Sequence, residues 1–439
     1  MNTLHSPNCA IYLPAVNTSY VTTVARPLPQ GRRFPGGLTP QDLMFWEPNK
    51  LWHYRYLLHS IGQYKVGTDP HVAISPVYRT NSTLIGDSGG FQIGKGTLKG
   101  ITHLKNKQMK ADDAVTAWRY ESAARDWITN WLTSECDYAM TIDMPLWARA
   151  ERGVNSPFHL CSGEQLMAMT DQNLRRIDAV SPAHVKWLNV IQGGSQIGDV
   201  LAWWDQVKWF RKGGWALAGT AGIAGGLFYM LSVLLLMRDE QAFDAGQDWL
   251  HVLGVSTPFW AVALTAIQES LRETNPALTV SFDSSSPFLD GGRYEDVALT
   301  PAFGNTAATW AIKKVKAPQQ PSYANANCTV PFPHQQSPLG KVLMANDLSV
   351  QTGTWKNRQF DALSNALLVN HNVWIYLDAF KQANDIVINR NINRIPTLYL
   401  ECIDLIKNLF SLKGDWTTEL HTNKKLLDKV APFDHKNFS

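Results

Sequence analysis

The feature that most constrains the fold is a repeated order of short apolar runs, polar or glycine-containing loops, and segments of helical character. The apolar runs are residues 84–86, 138–142, 185–191, 215–217, 250–253 and 279–282. Helical segments lie between several of them, at 112–133, 196–210 and 258–274. A strand, a loop and a helix repeated in this way are typical of a parallel α/β fold.

A parallel sheet either closes into a barrel or stays open as a doubly wound sheet, and periodicity alone does not separate the two. Here residues capable of chemistry follow nearly every predicted strand, whereas an open sheet collects them at one switch point. The sequence therefore predicts an α/β fold, a (β/α)8 TIM barrel with insertions and an α-helical C-terminal extension. We expect the barrel in residues 1–316, an irregular region in 317–385, and the helical extension in 386–439.

The composition indicates in which compartment the protein works but does not identify its partner. The net charge of +3 neither demonstrates nor excludes a nucleic-acid partner, because a local basic groove can hide in a balanced total. The five cysteines are scattered and include no Cys-x-x-Cys pair, which favours a reducing compartment such as the cytoplasm. Residues 1–10 lack the basic and apolar regions of a signal peptide.

Residues 214–237 contain no charged side chain and are long enough to span a bilayer, so a single-pass membrane protein is one alternative. The first half of this segment is rich in glycine and is more typical of a strand and a loop. The second half predicts a buried helix that ends at Arg238. We therefore expect no membrane span.

Three aspartates, Asp87, Asp143 and Asp283, follow predicted strands and should share one end of the barrel. Such a set suits either a metal bound by oxygen ligands or glycosyl transfer, in which one carboxylate attacks C1′ and another moves a proton. Two structural alternatives stay open, because Asp143 and Asp283 are also placed to cap the turns that follow them. Ser88 and Gly89 follow Asp87 and allow a flat ligand to approach the backbone.

Hydrogen-bond donors accompany these carboxylates in the predicted loops. Gln192 offers an amide that can pair with a base edge, or else bond a neighbouring strand. Backbone N–H groups add further donors at Gly193, Gly194 and Gly219. Donors beside carboxylates fit a guanine-like ligand better than a cation.

The order of these pieces resembles the guanine transglycosylase superfamily, the base-exchanging enzymes of queuosine and archaeosine synthesis. Asp87-Ser88-Gly89-Gly90-Phe91-Gln92 is similar to its first motif, and the similarity covers residues 80–380. The later motifs resemble residues 137–143, 189–194, 216–220, 251–258, 280–284 and 367–372. The last of these contains His371, which corresponds to a histidine at the family's zinc site but is also typical of a packed helix histidine.

The resemblance implies a role for each matched residue. Asp283 would be the nucleophile that holds a covalent glycosyl intermediate, and Asp87 the general acid and base. Asp143 would accept hydrogen bonds from guanine, Gln192 and the Gly219 backbone would donate to O6, and Leu253 would cover one face of the base. The chemistry would require no cofactor.

Three departures from the tRNA enzymes point to a different nucleic acid. The Cys-x-Cys-x-x-Cys cluster before His371 is absent, so residues 317–385 resemble a remodelled zinc subdomain and the sequence leaves a structural zinc open. The remaining candidate ligands are Cys328, His334 and Cys402. The arginine-rich loop after the nucleophile retains only Arg293. Residues 222–226 lack the carboxylate that accompanies an aminomethyl substituent, which favours a neutral 7-substituent such as the nitrile of preQ0.

These departures resemble the DNA-directed branch, above all its bacteriophage members. The sequence therefore predicts a DNA-binding transferase that exchanges guanine in DNA for a free 7-deazaguanine base and so evades restriction, in the cytoplasm of a host cell. A divergent tRNA-guanine transglycosylase and a non-catalytic nucleic-acid-binding subunit are the alternatives, and a homodimer is left open. A lysine-rich loop at 99–112, with Lys105, is expected near the barrel mouth and the nucleic acid.

Overall fold

A computed structural model describes residues 4–70, 73–76, 79–105, 107–193, 197–219, 225–324, 327–349 and 360–430. Its main sheet is built from parallel strands: β1 (Ile11–Pro14), β2 (Tyr56–Ser60), β3 (Thr83–Asp87), β4 (Tyr138–Met140), β5 (Lys186–Gln192), β6 (Gly213–Ala218), β7 (Trp249–Val252) and β8 (Thr279–Ser284). An antiparallel pair follows: β9 (Asp296–Leu299) and β10 (Lys313–Lys316).

Helices surround this sheet and continue past it. In chain order they are α1 (Thr18–Ala25), α2 (Gly90–Lys95), α3 (Ala111–Tyr120), α4 (Ser122–Glu135), α5 (Gly163–Val180), α6 (Ile197–Val207), α7 (Gly226–Asp239), α8 (Pro258–Arg272), α9 (Ser286–Gly292), α10 (Ala362–Ile388), α11 (Thr397–Ser411), α12 (Trp416–Thr422) and α13 (Lys424–Val430).

The eight parallel strands form a nearly closed barrel. From β2 to β8 each strand pairs with the next one in the chain, and β8 pairs with β1. The two ends of the sheet, β1 and β2, meet through a parallel bridge between Ala15 and Leu58. The predicted (β/α)8 TIM barrel with a C-terminal helical extension is therefore confirmed.

Strand periodicity divides the side chains between the barrel interior and the helical layer. Successive residues of a strand point to opposite faces, so residues two apart share a face. The interior holds one apolar cluster: Ile11, Leu13, Leu58, Ile85, Met140, Leu188, Val190, Ala216, Ala218 and Trp249. Asp87 lies two residues beyond Ile85 and Gln192 two beyond Val190, so both continue the interior face toward the C-terminal end of the barrel.

The uncharged segment at 214–237 belongs to the barrel and its helical layer. Its first part is β6, and its second part lies in α7, which has 14 residues. Helices α12 and α13 pack on α7, and this burial explains why α7 is apolar on nearly all its faces. Within the described ranges, no helix is both long enough and apolar enough to cross a bilayer.

The C-terminal helices are part of the same hydrophobic core as the barrel. Helix α10 packs on α8, α9 and β9, while α11 packs on α8. The core cluster that they share extends from Ala10 to Val430. Because α10 ends at Ile388, the predicted boundary at residue 385 lies inside a helix.

The sequence predicts one helix over 112–133, but the structure has two, α3 and α4, with Glu121 between them. The buried Glu121 carboxylate accepts backbone N–H bonds from Thr102 at 2.8 Å, His103 at 2.5 Å and Leu104 at 3.3 Å. Three bonds to one carboxylate oxygen hold the first part of the lysine-rich loop against the helical layer.

Candidate active site

A cavity of about 260 Å³ opens at the C-terminal end of the barrel. Its walls come from α2, from the ends of strands β3 to β6, and from the loops that follow β4, β6 and β7. Among the residues expected to act, five line it: Asp87, Asp143, Gln192, Gly219 and Leu253. Ligand sites of TIM barrels lie at this end because the loops that follow the strands meet there.

Asp87 ends β3 and contributes a carboxylate to the cavity wall. Burial raises its pKa above the ordinary value for aspartate, and the charge of Asp283 raises it further. The Ser60 hydroxyl and the Gly89 N–H, which lies 3.2 Å from Asp87 Oδ1, act in the opposite direction. A raised pKa favours the protonated carboxyl group, which is the form that can give a proton to a leaving group.

Asp283 lies on β8, close enough to Asp87 for its charge to act on that carboxyl group. Its Oδ1 accepts the Gly254 N–H at 3.0 Å and lies 3.2 Å from His251 Nε2. Gly254 lines the cavity and Asp283 lies directly behind it, with 12% of its side chain exposed. The turn after β8 is capped instead by Ser284, whose Oγ accepts the Ser286 N–H at 2.8 Å.

Asp143 and Gln192 form a hydrogen-bonded pair in the cavity wall. Gln192 Nε2 donates to Asp143 Oδ2, and both residues are buried. Burial raises the pKa of Asp143 to about 7, and the charge of Asp87 also raises it, whereas the bond from Gln192 lowers it. Gln192 Oε1 is buried and has no partner within the described residues. The pair thus presents a carboxylate and an unsatisfied amide oxygen, both of which suit ligand N–H groups.

Two glycines let the backbone approach this pair. An added Cβ at Gly90 would lie 2.9 Å from Asp143 Oδ1, so a larger residue at the start of α2 would press on the carboxylate. Gly219 has a φ of +73°, and an added Cβ there would lie 3.0 Å from the Gly193 carbonyl oxygen. Both positions therefore require glycine for the cavity to keep its shape.

The other predicted binding residues lie behind the cavity wall. The Ser88 hydroxyl donates to the Thr141 carbonyl at 3.0 Å and so joins β3 to the loop after β4. Gly89 uses its N–H on Asp87, and Gly193 donates its N–H to the Ala218 carbonyl at 2.6 Å. Gly194, expected to add another donor, lies outside the described residues.

Two aromatic side chains and one lysine, to which the sequence patterns give no role, also lie at the cavity. Phe91 is 55% exposed, and its ring centroid lies 5.5 Å from that of Trp147. Lys95 Nζ is 4.5 Å from the Phe91 ring centroid. All three line the cavity. The i and i+4 spacing of Phe91 and Lys95 was a usable sign of their contact, but Trp147 approaches from a separate loop.

His371 is held as a packed residue of α10. Its Nδ1 lies 2.7 Å from Ser337 Oγ and its Nε2 3.2 Å from the Ala298 carbonyl oxygen, so both ring nitrogens have partners. Burial lowers its pKa to about 4. In the described part of the chain, no group of three or more His, Cys, Asp or Glu side chains is placed to hold a metal ion.

Comparison with models of known protein families finds no match for this chain, and comparison with curated proteins finds none either.

Proposed function

We propose that this chain is a base-exchanging transglycosylase that replaces guanine in a nucleic acid through a covalent glycosyl-aspartate intermediate. One observation carries the proposal: Asp87 on β3 and Asp283 on β8 stand at the same C-terminal end of the barrel, beside a cavity whose wall holds the Asp143–Gln192 pair. Drug-sized ligands occupy cavities of about 300–1,000 Å³, so the smaller cavity here suits a single planar base.

The proposed reaction has two displacement steps. In the first, an oxygen of Asp283 attacks C1′ of the nucleotide, the C1′–N9 bond breaks, and Asp87 gives its proton to the departing guanine. In the second, N9 of the incoming base attacks C1′, the bond to Asp283 breaks, and Asp87 takes the proton from the incoming base. Two inversions at C1′ retain the configuration, as in retaining glycosidases with paired carboxylates.

Base recognition in this proposal rests on the edge and the two faces of the purine. Asp143 accepts hydrogen bonds from the N1–H and 2-amino groups of guanine. Gln192 retains a second amide hydrogen that can reach O6, as can the N–H of Gly219. Leu253 and Phe91 line the cavity and are placed to cover the base faces.

DNA is the substrate that we propose, with a free 7-deazaguanine such as preQ0 as the incoming base. The choice of DNA is supported by the loop after Asp283, which retains only Arg293 of an arginine-rich loop. The choice of a neutral 7-substituent is supported by residues 222–226, which contain no carboxylate. Bringing the target base into the cavity costs a few kcal/mol of unstacking, so single-stranded DNA should react more readily than a duplex. In a phage-infected cell this exchange would protect DNA from restriction.

Labelled guanine exchange tests the proposal directly. Full-length protein is incubated with radiolabelled guanine and single-stranded DNA, duplex DNA or tRNA, and label in the nucleic acid is counted. We expect label in DNA, a protein–DNA adduct on denaturing gels, and loss of both in Asp283→Asn. Asp171→Asn, on α5 beside Arg175 and outside the cavity, is the matched control and should exchange guanine as the wild type does.

Each other result has a definite meaning. Label in tRNA alone would establish the divergent tRNA enzyme, and unchanged exchange in Asp283→Asn would refute the nucleophile assignment. Absence of exchange into any substrate, with DNA binding retained, would favour a non-catalytic binding subunit.

A further inference from the structure

A chain of four hydrogen-bonded side chains crosses the largely apolar interior beneath the cavity. Trp249 and His251 come from β7, and Ser281 and Asp283 come from β8, each pair two residues apart and therefore on the inward face. The strand register places His251 opposite Ser281. His251 and Ser281 are both fully buried, so their hydrogen bonds are formed away from bulk water.

The hydrogen bonds of this line determine where the protons lie. Trp249 Nε1, which can only donate, lies 2.7 Å from Ser281 Oγ, so the serine oxygen accepts this bond. The serine hydroxyl is then free to donate to His251 Nδ1 at 2.8 Å. A carboxylate oxygen can only accept, so His251 Nε2, which lies 3.2 Å from Asp283 Oδ1, is the donor and carries the proton.

Oδ1 of Asp283 thus receives two donors, from His251 and from the Gly254 N–H at 3.0 Å. Within the described residues, Oδ2 has no hydrogen bond that would hold it back from the cavity. The terminal torsion of an aspartate is broad and roughly two-fold, so an untethered carboxylate turns readily. Two bonds to the same oxygen oppose this rotation and keep the other oxygen available.

We propose that His251 is a positioning residue for the nucleophile, which holds Asp283 Oδ1 so that Oδ2 attacks C1′. This inference rests on the proposed function. Trp249 and Ser281 keep the imidazole in the tautomer whose Nε2–H faces the carboxylate. Attack on C1′ requires the reacting atoms to meet at about 3–3.5 Å with aligned orbitals, so loss of orientation lowers the rate of the chemical step.

Replacement of His251 separates positioning from simple packing. His251→Phe keeps a planar ring but removes the N–H donor, and we expect kcat for guanine exchange to fall about 10- to 100-fold, the range of a lost hydrogen bond to a charged group. The KM for guanine should change less than about threefold, because the base edge contacts Asp143 and Gln192.

Two further variants control this result. His251→Gln places an amide N–H near the position of Nε2, so it should recover most of the lost kcat. His59 is the matched control: it is also fully buried, but on β2, where its nitrogens contact the Val16 carbonyl and the Tyr64 hydroxyl. His59→Phe should lower stability without changing kcat. Wild-type kcat in folded His251→Phe, or no recovery of kcat in His251→Gln, would overturn the inference.

A measurement that needs no activity distinguishes this inference from the proposed function. ¹⁵N NMR of the 12 histidines, with the His251 signal assigned by its loss in His251→Gln, reports which ring nitrogen carries the proton. We expect a protonated Nε2 in the wild type; a ring protonated on Nδ1 alone would refute the network. A wild type that exchanges no base would refute the proposed function, whereas the tautomer separately decides whether His251 donates to Asp283.

Discussion

The free energy of unfolding of Asp143→Asn, measured relative to that of the wild type, should increase as the pH rises. Burial raises the pKa of Asp143 from 3.8 in the unfolded chain to about 7 in the folded protein. Between these values the folded state binds a proton that the unfolded state has lost, so the free energy of unfolding falls as pH rises. The neutral asparagine avoids this loss, and its Oδ1 still accepts the bond from Gln192.

The magnitude follows from the two pKa values. Each unit of difference is worth about 1.4 kcal/mol, so the whole interval corresponds to roughly 4 kcal/mol. Part of it is already lost at pH 5 in the wild type, and nearly all of it is lost by pH 8. The stability of Asp143→Asn relative to wild type should therefore increase by about 2–3 kcal/mol between pH 5 and pH 8.

Urea unfolding followed by tryptophan fluorescence at pH 5, 6, 7 and 8 measures this change. The difference between variant and wild type cancels the titration of groups that do not interact with residue 143, which is why both proteins are needed at each pH. Asp171→Asn, on α5 and outside the cavity, should show no comparable increase. If the difference between Asp143→Asn and wild type were the same at pH 5 and pH 8, the buried-carboxyl argument would be refuted.

Two further predictions concern backbone geometry. Gly219→Ala should lower the free energy of unfolding by about 1–2 kcal/mol, because the φ of Gly219 is +73° and the new methyl group would crowd the Gly193 carbonyl. Gly198→Ala is the control and should not destabilise the protein, because Gly198 lies within a helix and has open space around it. Urea unfolding compares them, and equal losses would contradict this explanation. Glu121→Ala should speed tryptic cleavage between residues 99 and 110 several-fold, because three backbone N–H groups lose their acceptor; an unchanged cleavage rate would show that the loop is held by other contacts.

Local sequence patterns were sufficient for the six later strands of the barrel and for several of its helices. Apolar runs at 84–86, 185–191 and 279–282 became β3, β5 and β8, with their ends within one or two residues of the prediction. Two strands, β1 and β2, were not predicted, although they close the barrel. Ile11–Pro14 is a short run, and what makes it a strand is pairing with β8, more than 260 residues away in the chain.

Sequence alone determined which residue types follow each strand, because a strand has two faces and the chain order of a barrel brings all strand ends to one rim. The position of Asp87, Asp143 and Gln192 at the ends of strands was therefore enough to predict that they line the same cavity. Tertiary structure decided which polar groups remain available there: the N–H groups of Gly89 and Gly193 are already used by neighbouring acceptors. It also placed His251 against Asp283. Hydrogen-bond partners between strands depend on register and side-chain rotamer, which no local pattern specifies.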